Sequence, residues 1–332
     1  MEEKWGHKIF SVSKSGFDRL ALEIFSFQLK NNPVYKAYTE ALLRSTANIG
    51  KLEEIPFLPI RFFKSHPVQT TFFEPEAVFE SSGTTTTTNS RHLVRDLSFY
   101  EESFIKGFEL FYGPAKDYCI IGLLPSYLER DNSSLVYMVN KLINLSEHPQ
   151  SGFYLNEYEK LFSILSDLEK KQQKTLLIGV TFALLDFAEH FSFNNGTAPL
   201  RHTTIMETGG MKGRKEEMIR QQVHEILKMK LGVTAIHSEY GMTELLSQAY
   251  SKGEGIFYCP SWMKMLVREE EDPLSVKKTG TGAVNIIDLA NIYSCSFIAT
   301  DDAGKINPDG SFEILGRMDG SDWRGCSLMV AL

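Results

Sequence analysis

Four short strand-like runs constrain this chain more than anything else in it. They are DYCIIGLLP (117–125), TLLIGV (175–180), TTIMET (203–208) and TAIHSEY (234–240). DYCIIGLLP is nearly all apolar and bounded by Pro, so it reads as a strand buried on both faces; TLLIGV and TTIMET read as the next buried strands and TAIHSEY as a further strand. Helical stretches separate them. One opens near Asp131–Ser134, and one is capped by Asn156 and Glu159 with Leu161, Phe162 and Leu165 inward. A third runs from Gly213 to Leu231, with Gly232 placed as its C-terminal stop. Strands alternating with helices imply βαβ units and a mostly parallel sheet. The expected fold class is α/β.

The flanks differ from this middle. Phe17, Leu20, Ala21, Ile24 and Phe25 recur at helical spacing, Pro33 ends or restarts that helix, and a second stripe runs through Tyr38, Ala41 and Leu42. IPFLPIRFFKSHP (55–67) reads as extended, and Ser98 with Glu101 forms a capping box for a helix through Phe104 and Phe108. After Tyr250 the chain turns β-rich. The expected organisation is a helical segment over 1–75 packed on an α/β core over 76–332 that ends in a hinge-like tail.

Composition excludes several classes. A chain of 332 residues has ample core, and 42% hydrophobic with 23% charged residues is the profile of a soluble globular protein. The net charge of -7 gives no general attraction to nucleic acid or anionic lipid. The cysteines at 119, 259, 295 and 326 show no C-x-x-C pair and no metal-ligand spacing. No apolar run is long enough to span a bilayer, and MEEKWGHKIF lacks a secretory apolar core, so a reducing cytoplasm is expected.

Three segments carry chemistry. SSGTTTTT (81–88) surrounds Gly83 with hydroxyls, which suits a phosphate-cradling turn and equally suits a solvated surface loop. It lacks the Gly-Lys pair of a Walker loop. EYGMTE (239–244) follows a strand, at the edge where open α/β sheets bind ligands. There Tyr240 could stack on a base, Thr243 could bond a phosphate and Glu244 could hold Mg²⁺, or the segment is an N-capped helix start. In ATDDAG (299–304) Asp302 could accept from ribose hydroxyls, and in GRMDGSDWRG (316–325) Arg317 could bind a ribose hydroxyl or a phosphate.

Taken in order, SSGTT, the Gly209–Gly210 pair, YGMTE, TDD and GRMD resemble the motif series of the adenylate-forming superfamily. IPFLPIRFFK, SRH (90–92), LLPSYLERDNSSLVYM, ETGGMKGR and DWRGCSLM resemble its acyl-protein synthetase branch, the LuxE type of bacterial luminescence. The resemblance covers nearly the whole chain. It implies the large N-terminal domain of adenylate-forming enzymes, with parallel αβ layers and a β-rich C-terminal part, but without their small C-terminal domain. It implies ATP and Mg²⁺ as cofactors and a small-molecule carboxylic acid, fatty in this branch, as substrate. By position, Ser81, Ser82, Gly83, Thr84, Thr85 and Thr86 would bind the ATP phosphates. Gly209 and Gly210 would flank adenine, with Tyr240 and Gly241 beside it. Thr243 would touch the α-phosphate, Glu244 would bind Mg²⁺, Asp302 the ribose, and Arg317 is the hinge arginine. Cys326 would receive the acyl group as a thioester, next to Arg324, and an acyl-reductase or other acyl-acceptor protein would be the partner. Read without the resemblance, Cys326 is a bystander in a frayed tail.

The departures are specific. The usual lysine of the phosphate loop is absent, and Arg91 is the nearest cation. TGD is here Thr300-Asp301-Asp302. The lysine of the small domain must be replaced by another cation, with Lys212 and Arg214 as candidates. An acyl- or aryl-CoA ligase-like enzyme and a non-catalytic nucleotide-binding remnant of the fold are the competing expectations.

Overall fold

The computed structural model describes residues 3–43, 45–46, 49–81, 89–124, 132–155, 157–195, 199–209, 218–319 and 322–324. The chain divides into two compact units. The first comprises 1–106, 242–248 and 258–332, and the second 107–241 and 249–257.

The first unit opens with helices α1 (Glu3–Phe10), α2 (Phe17–Asn31) and α3 (Pro33–Leu42). The α2 stripe is the expected one, with Phe17, Leu20, Ala21, Ile24 and Phe25 buried. Pro33 restarts the helix because its fixed φ suits the first turn, while the Asn32 side chain accepts from Tyr35 N at 3.0 Å. The buried face of α3 is Tyr35 and Thr39, not Tyr38, Ala41 and Leu42. Tyr35 turns the helix that way: its ring stacks on Phe297 at 6.0 Å and its hydroxyl donates to Pro56 O at 2.7 Å. The Pro-punctuated run forms strand β1 (Leu58–Pro59) and then a helical turn, α4 (Phe62–Ser65), where an extended path was expected. Strands β2 (Ala77–Glu80) and β3 (Arg91–Val94) pair as an antiparallel hairpin. Helix α5 (Leu97–Tyr112) begins one residue before Ser98, and Asp96 caps it by accepting from Ser98 N at 2.8 Å.

The second unit holds β4 (Cys119–Leu123), α6 (Ser134–Ser146), β5 (Gly152–Phe153), α7 (Tyr158–Lys170), β6 (Thr175–Val180), α8 (Thr181–Asn195), β7 (Thr203–Thr208), α9 (Arg220–Leu231), β8 (Ile236–Tyr240) and β9 (Ala249–Ser251). Its sheet runs β9-β8-β7-β6-β4-β5, parallel throughout except for β9. The four runs are its central strands, almost wholly buried. Leu123, Leu165, Leu177, Phe187, Phe191 and Leu227 belong to the core that covers it. Helix α9 ends at Gly232, which has φ +68° and whose absent Cβ would lie 2.6 Å from Pro199 Cα. Glycine is thus required twice, by conformation and by space.

Strand β10 (Phe257–Tyr258) straddles the division. The chain then returns to the first unit with β11 (Met263–Arg268), β12 (Val276–Lys277), β13 (Gly280–Asp288), β14 (Phe297–Ile306), β15 (Phe312–Asp319) and β16 (Asp322–Arg324). These form an antiparallel series, β12-β11-β13-β14-β15-β16, and β1 adds in parallel to β14. The β14–β15 pairing shifts register at Ala303/Gly304, leaving Leu315 as an extra residue. That bulge sets Asp302 opposite Arg317.

Candidate nucleotide site

The first unit carries most of the expected phosphate- and ribose-binding side chains. Hairpin β2–β3 frames residues 82–88, and its mouth is closed by Ser81 N donating to Ser90 O at 3.1 Å and Ser90 N donating to Ser81 Oγ at 3.0 Å. Arg91, the nearest cation, lies opposite Glu80 and pairs with it at 3.7 Å. One residue on, the buried ring of His92 reaches Thr243 O at 2.8 Å through Nδ1 and Asn291 Oδ1 at 3.0 Å through Nε2. Asn291 Nδ2 in turn donates to Glu244 O at 2.7 Å. Asp288 accepts from Leu246 N at 2.8 Å, Ser247 N at 3.0 Å and Ser247 Oγ at 2.6 Å. Residues 243–247 are therefore gripped along their backbone. Burial lifts Asp288 to about 6 against these donors, and it pushes His92 down to about 4 against its two oxygen partners.

Glu244 is buried, with its side chain in the same gripped segment. Asp302 is buried on β14, and Arg317 Nε donates to its Oδ1 at 3.4 Å. The Arg317 side chain is half exposed, so it orients the carboxylate while meeting solvent.

The second unit carries the expected base-binding residues at the carboxyl ends of β7 and β8. Gly209 follows β7 with φ +72° and open space where a Cβ would be. A buried carboxylate holds that turn. Glu207 accepts from Thr181 Oγ1 at 3.0 Å, Arg220 Nε at 3.1 Å and Ser238 Oγ at 2.9 Å, with His224 Nε2 at 3.4 Å, and Thr181 Oγ1 also lies 3.0 Å from Gly209 O. Burial would raise Glu207, but His224 and Arg220 hold it below the ordinary carboxylate value. Arg220 also lies over the Phe257 ring at 5.2 Å, and Phe257 packs on Tyr240 at 6.0 Å. The glycine turn and the Tyr240 ring thus rest on one network. On the other face of β8, Glu239 accepts from Thr208 Oγ1, and burial lifts it to about 7.

Tyr240 and Gly241 lie in the second unit and Thr243 and Glu244 in the first, the division falling inside YGMTE. Ser82, Gly83, Thr84, Thr85, Thr86, Gly210 and Cys326 lie outside the described residues, as do Lys212 and Arg214. No helix among the described residues is long and apolar enough to cross a membrane.

No family model matches the chain, and no curated protein matches it in sequence. Solved structures do match. The chain is similar to 2-hydroxyisobutyryl-CoA ligase in complex with 2-HIB-AMP and CoA, with TM-score 0.67 and 14% identity, over 95% of this chain and 71% of that one. It is similar to the same enzyme in the postadenylation state with R3-HIB-AMP, with TM-score 0.67 and 12% identity, over 94% and 70%. The fold is that of the large domain of adenylate-forming enzymes. ATP-bound MatB from Rhodopseudomonas palustris shares it at TM-score 0.54 and 14% identity, over 76% of this chain and 49% of that one. The chain thus spans about half the length of MatB. At such identities the adenylate-forming fold is shared, while substrate and acceptor are decided by side chains.

Sequence reasoning missed the residues that hold these motifs. Glu207 and Arg220 join across a β-α connection, and Asn291 meets Glu244, and Asp288 the Leu246 and Ser247 just after YGMTE, from more than forty positions further on. Neither pair leaves a local pattern. His92 is part of SRH, but nothing in that tripeptide shows which oxygens its ring meets.

Proposed function

We propose that this chain is an ATP-dependent ligase that activates a carboxylic acid, fatty in class, as an acyl-adenylate and passes the acyl group to the Cys326 thiol. One observation carries the reading: in an adenylate-forming fold, Tyr240 ends strand β8 at the carboxyl edge of the parallel strands, and Gly-Met-Thr-Glu follows it directly.

The residues divide the work. Gly209 leaves open space beside Tyr240 for the flat base, and Asp302, oriented by Arg317, accepts from the ribose hydroxyls. The hydroxyls of residues 81–86 and Thr243 donate to phosphate oxygens. Glu244 offers a hard carboxylate oxygen, and Mg²⁺ is commonly held by one or two carboxylates together with substrate phosphates, so this donor set fits the ion. The metal supplies neutralisation of the phosphate charge. In the first step a carboxylate oxygen of the acid bonds to the α-phosphorus of ATP and pyrophosphate leaves. In the second the Cys326 thiolate bonds to the acyl carbon, the bond to the phosphate oxygen breaks, and AMP leaves. Both are carried by positioning and fixed donors.

Mass spectrometry after incubation with ATP, Mg²⁺ and a panel of carboxylic acids tests the proposal. An acyl mass on Cys326 that is absent in Cys326→Ser is expected. The likeness to a ligase solved with CoA favours a second reading, transfer to CoA. Acyl-CoA formation that survives Cys326→Ser, with no protein labelling, selects it. If the acyl group does sit on Cys326, the next acceptor is an acyl-reductase or another acyl-acceptor protein.

A further inference from the structure

We infer that His92 is a positioning residue that locks the Thr243–Glu244 segment to the β2–β3 hairpin. The inference rests on the adenylation reading, and it adds a residue to that site.

His92 lies on β3, opposite Phe79; the residue is 1% exposed and its ring meets Phe63 edge-on at 5.8 Å. So buried a position beside Phe63 would be filled more cheaply by an apolar side chain, since a buried polar ring must find partners. It meets two oxygens. The Thr243 carbonyl can only accept, so its 2.8 Å contact assigns a hydrogen to Nδ1. Asn291 Nδ2 donates to Glu244 O at 2.7 Å, so its Oδ1 faces Nε2; a neutral imidazole has no second N–H, and the 3.0 Å approach of Nε2 to Oδ1 is a packing contact, not a hydrogen bond. The ring thus holds the backbone of Thr243 by a hydrogen bond and packs against the amide that holds Glu244.

The rest of the segment does not need His92. Asp288 holds Leu246 and Ser247 from the other side. Removing the imidazole therefore leaves 244–247 anchored to the turn after β13, and it uncouples 243–244 from the hairpin that carries Ser81 and Ser90. Two groups meant to meet one triphosphate then drift relative to each other. Misplacement on the scale of 1 Å can cost about 100-fold in rate.

Three variants of the full chain separate positioning from packing. His92→Asn puts an amide nitrogen where Nδ1 stands and keeps the Thr243 bond. His92→Gln puts one where Nε2 stands and keeps only the Asn291 contact, and His92→Leu keeps neither. Carboxylate-dependent ATP–pyrophosphate exchange, with kcat and KM for ATP read separately, is measured alongside thermal melting. His92→Asn is expected within about threefold of the parent kcat, and His92→Gln and His92→Leu about 100-fold below it at temperatures where all are folded. Parent-like kcat in His92→Leu overturns the inference. So does a loss that tracks Tm alone across the three. If the parent protein exchanges with no acid, the adenylation reading fails instead. Amide hydrogen exchange over 243–247 then decides on His92, with exchange in His92→Gln faster than in His92→Asn supporting it and equal exchange overturning it.

Discussion

Asp302 stands directly opposite Arg317 across strands β14 and β15, and the guanidinium reaches its carboxylate at 3.4 Å. The arginine is 59% exposed, so the pair contributes little to stability, on the order of 0–1 kcal/mol. Its consequence is orientation. Asp302→Ala is expected to raise KM for ATP roughly 10- to 100-fold, the range for losing charge-assisted hydrogen bonds of about 1.5–3 kcal/mol, with Tm little changed. Arg317→Ala is expected to do the same more weakly. Initial rates of pyrophosphate exchange against ATP concentration check both, and an unchanged KM in Asp302→Ala removes Asp302 from the nucleotide site.

Glu207 is a buried carboxylate surrounded by donors from α8, α9 and β8. Removing it takes the shared acceptor from Thr181, Arg220, Ser238 and His224, so Glu207→Ala is expected to cost roughly 2–4 kcal/mol in urea unfolding, and Glu207→Gln less. Its folded-state value is depressed, so its contribution is present above about 4.5 and is lost as pH falls through the lower folded value. The variant should accordingly show a shallower acid-unfolding transition. Because Thr181 serves both Glu207 and Gly209, weaker ATP binding should accompany the loss.

Glu239 has the opposite sign. Burial raises it from 4.5 to about 7, helped by the nearby Glu207 charge and opposed by the Thr208 hydroxyl. A raised carboxyl contributes stability that is complete below about 4.5 and is lost as pH climbs through about 7. Glu239→Gln, which keeps an acceptor for Thr208, should remove this decline and be more stable than the parent at pH 8 by roughly 1–3 kcal/mol. Urea midpoints from pH 5 to pH 8 read it directly, and parallel pH profiles for the two proteins would count against it.

Gly113 and Gly232 both have positive φ, but only at Gly232 would a methyl group meet backbone, 2.6 Å from Pro199 Cα. Gly113→Ala is expected to cost about 1 kcal/mol for conformation alone. Gly232→Ala should cost roughly 2–4 kcal/mol, the same penalty plus overpacking. Thermal melts of the two variants make the comparison.

The sequence alone determined the parallel strands, because short strand-like runs, DYCIIGLLP and TLLIGV apolar enough to require burial, alternate with helices. It also determined the stop at Gly232 and the α2 stripe, which rest on local spacing. Three local expectations were displaced, one of them by a partner distant in sequence. The face of α3 turned to Tyr35 because Phe297 offers a ring to stack on, Asp96 took the cap from Ser98, and α4 interrupted the extended run. The site shows the same division. Candidate residues such as Tyr240, Glu244 and Asp302 stand out by type and order, since chemistry demands a ring or a carboxylate. What holds them was decided by tertiary structure alone: His92 on Thr243, Asn291 on Glu244, Arg220 between Glu207 and Phe257. Hydrogen bonds between segments far apart in the chain depend on where folding brings two backbones, and a local pattern of residues carries no record of that distance.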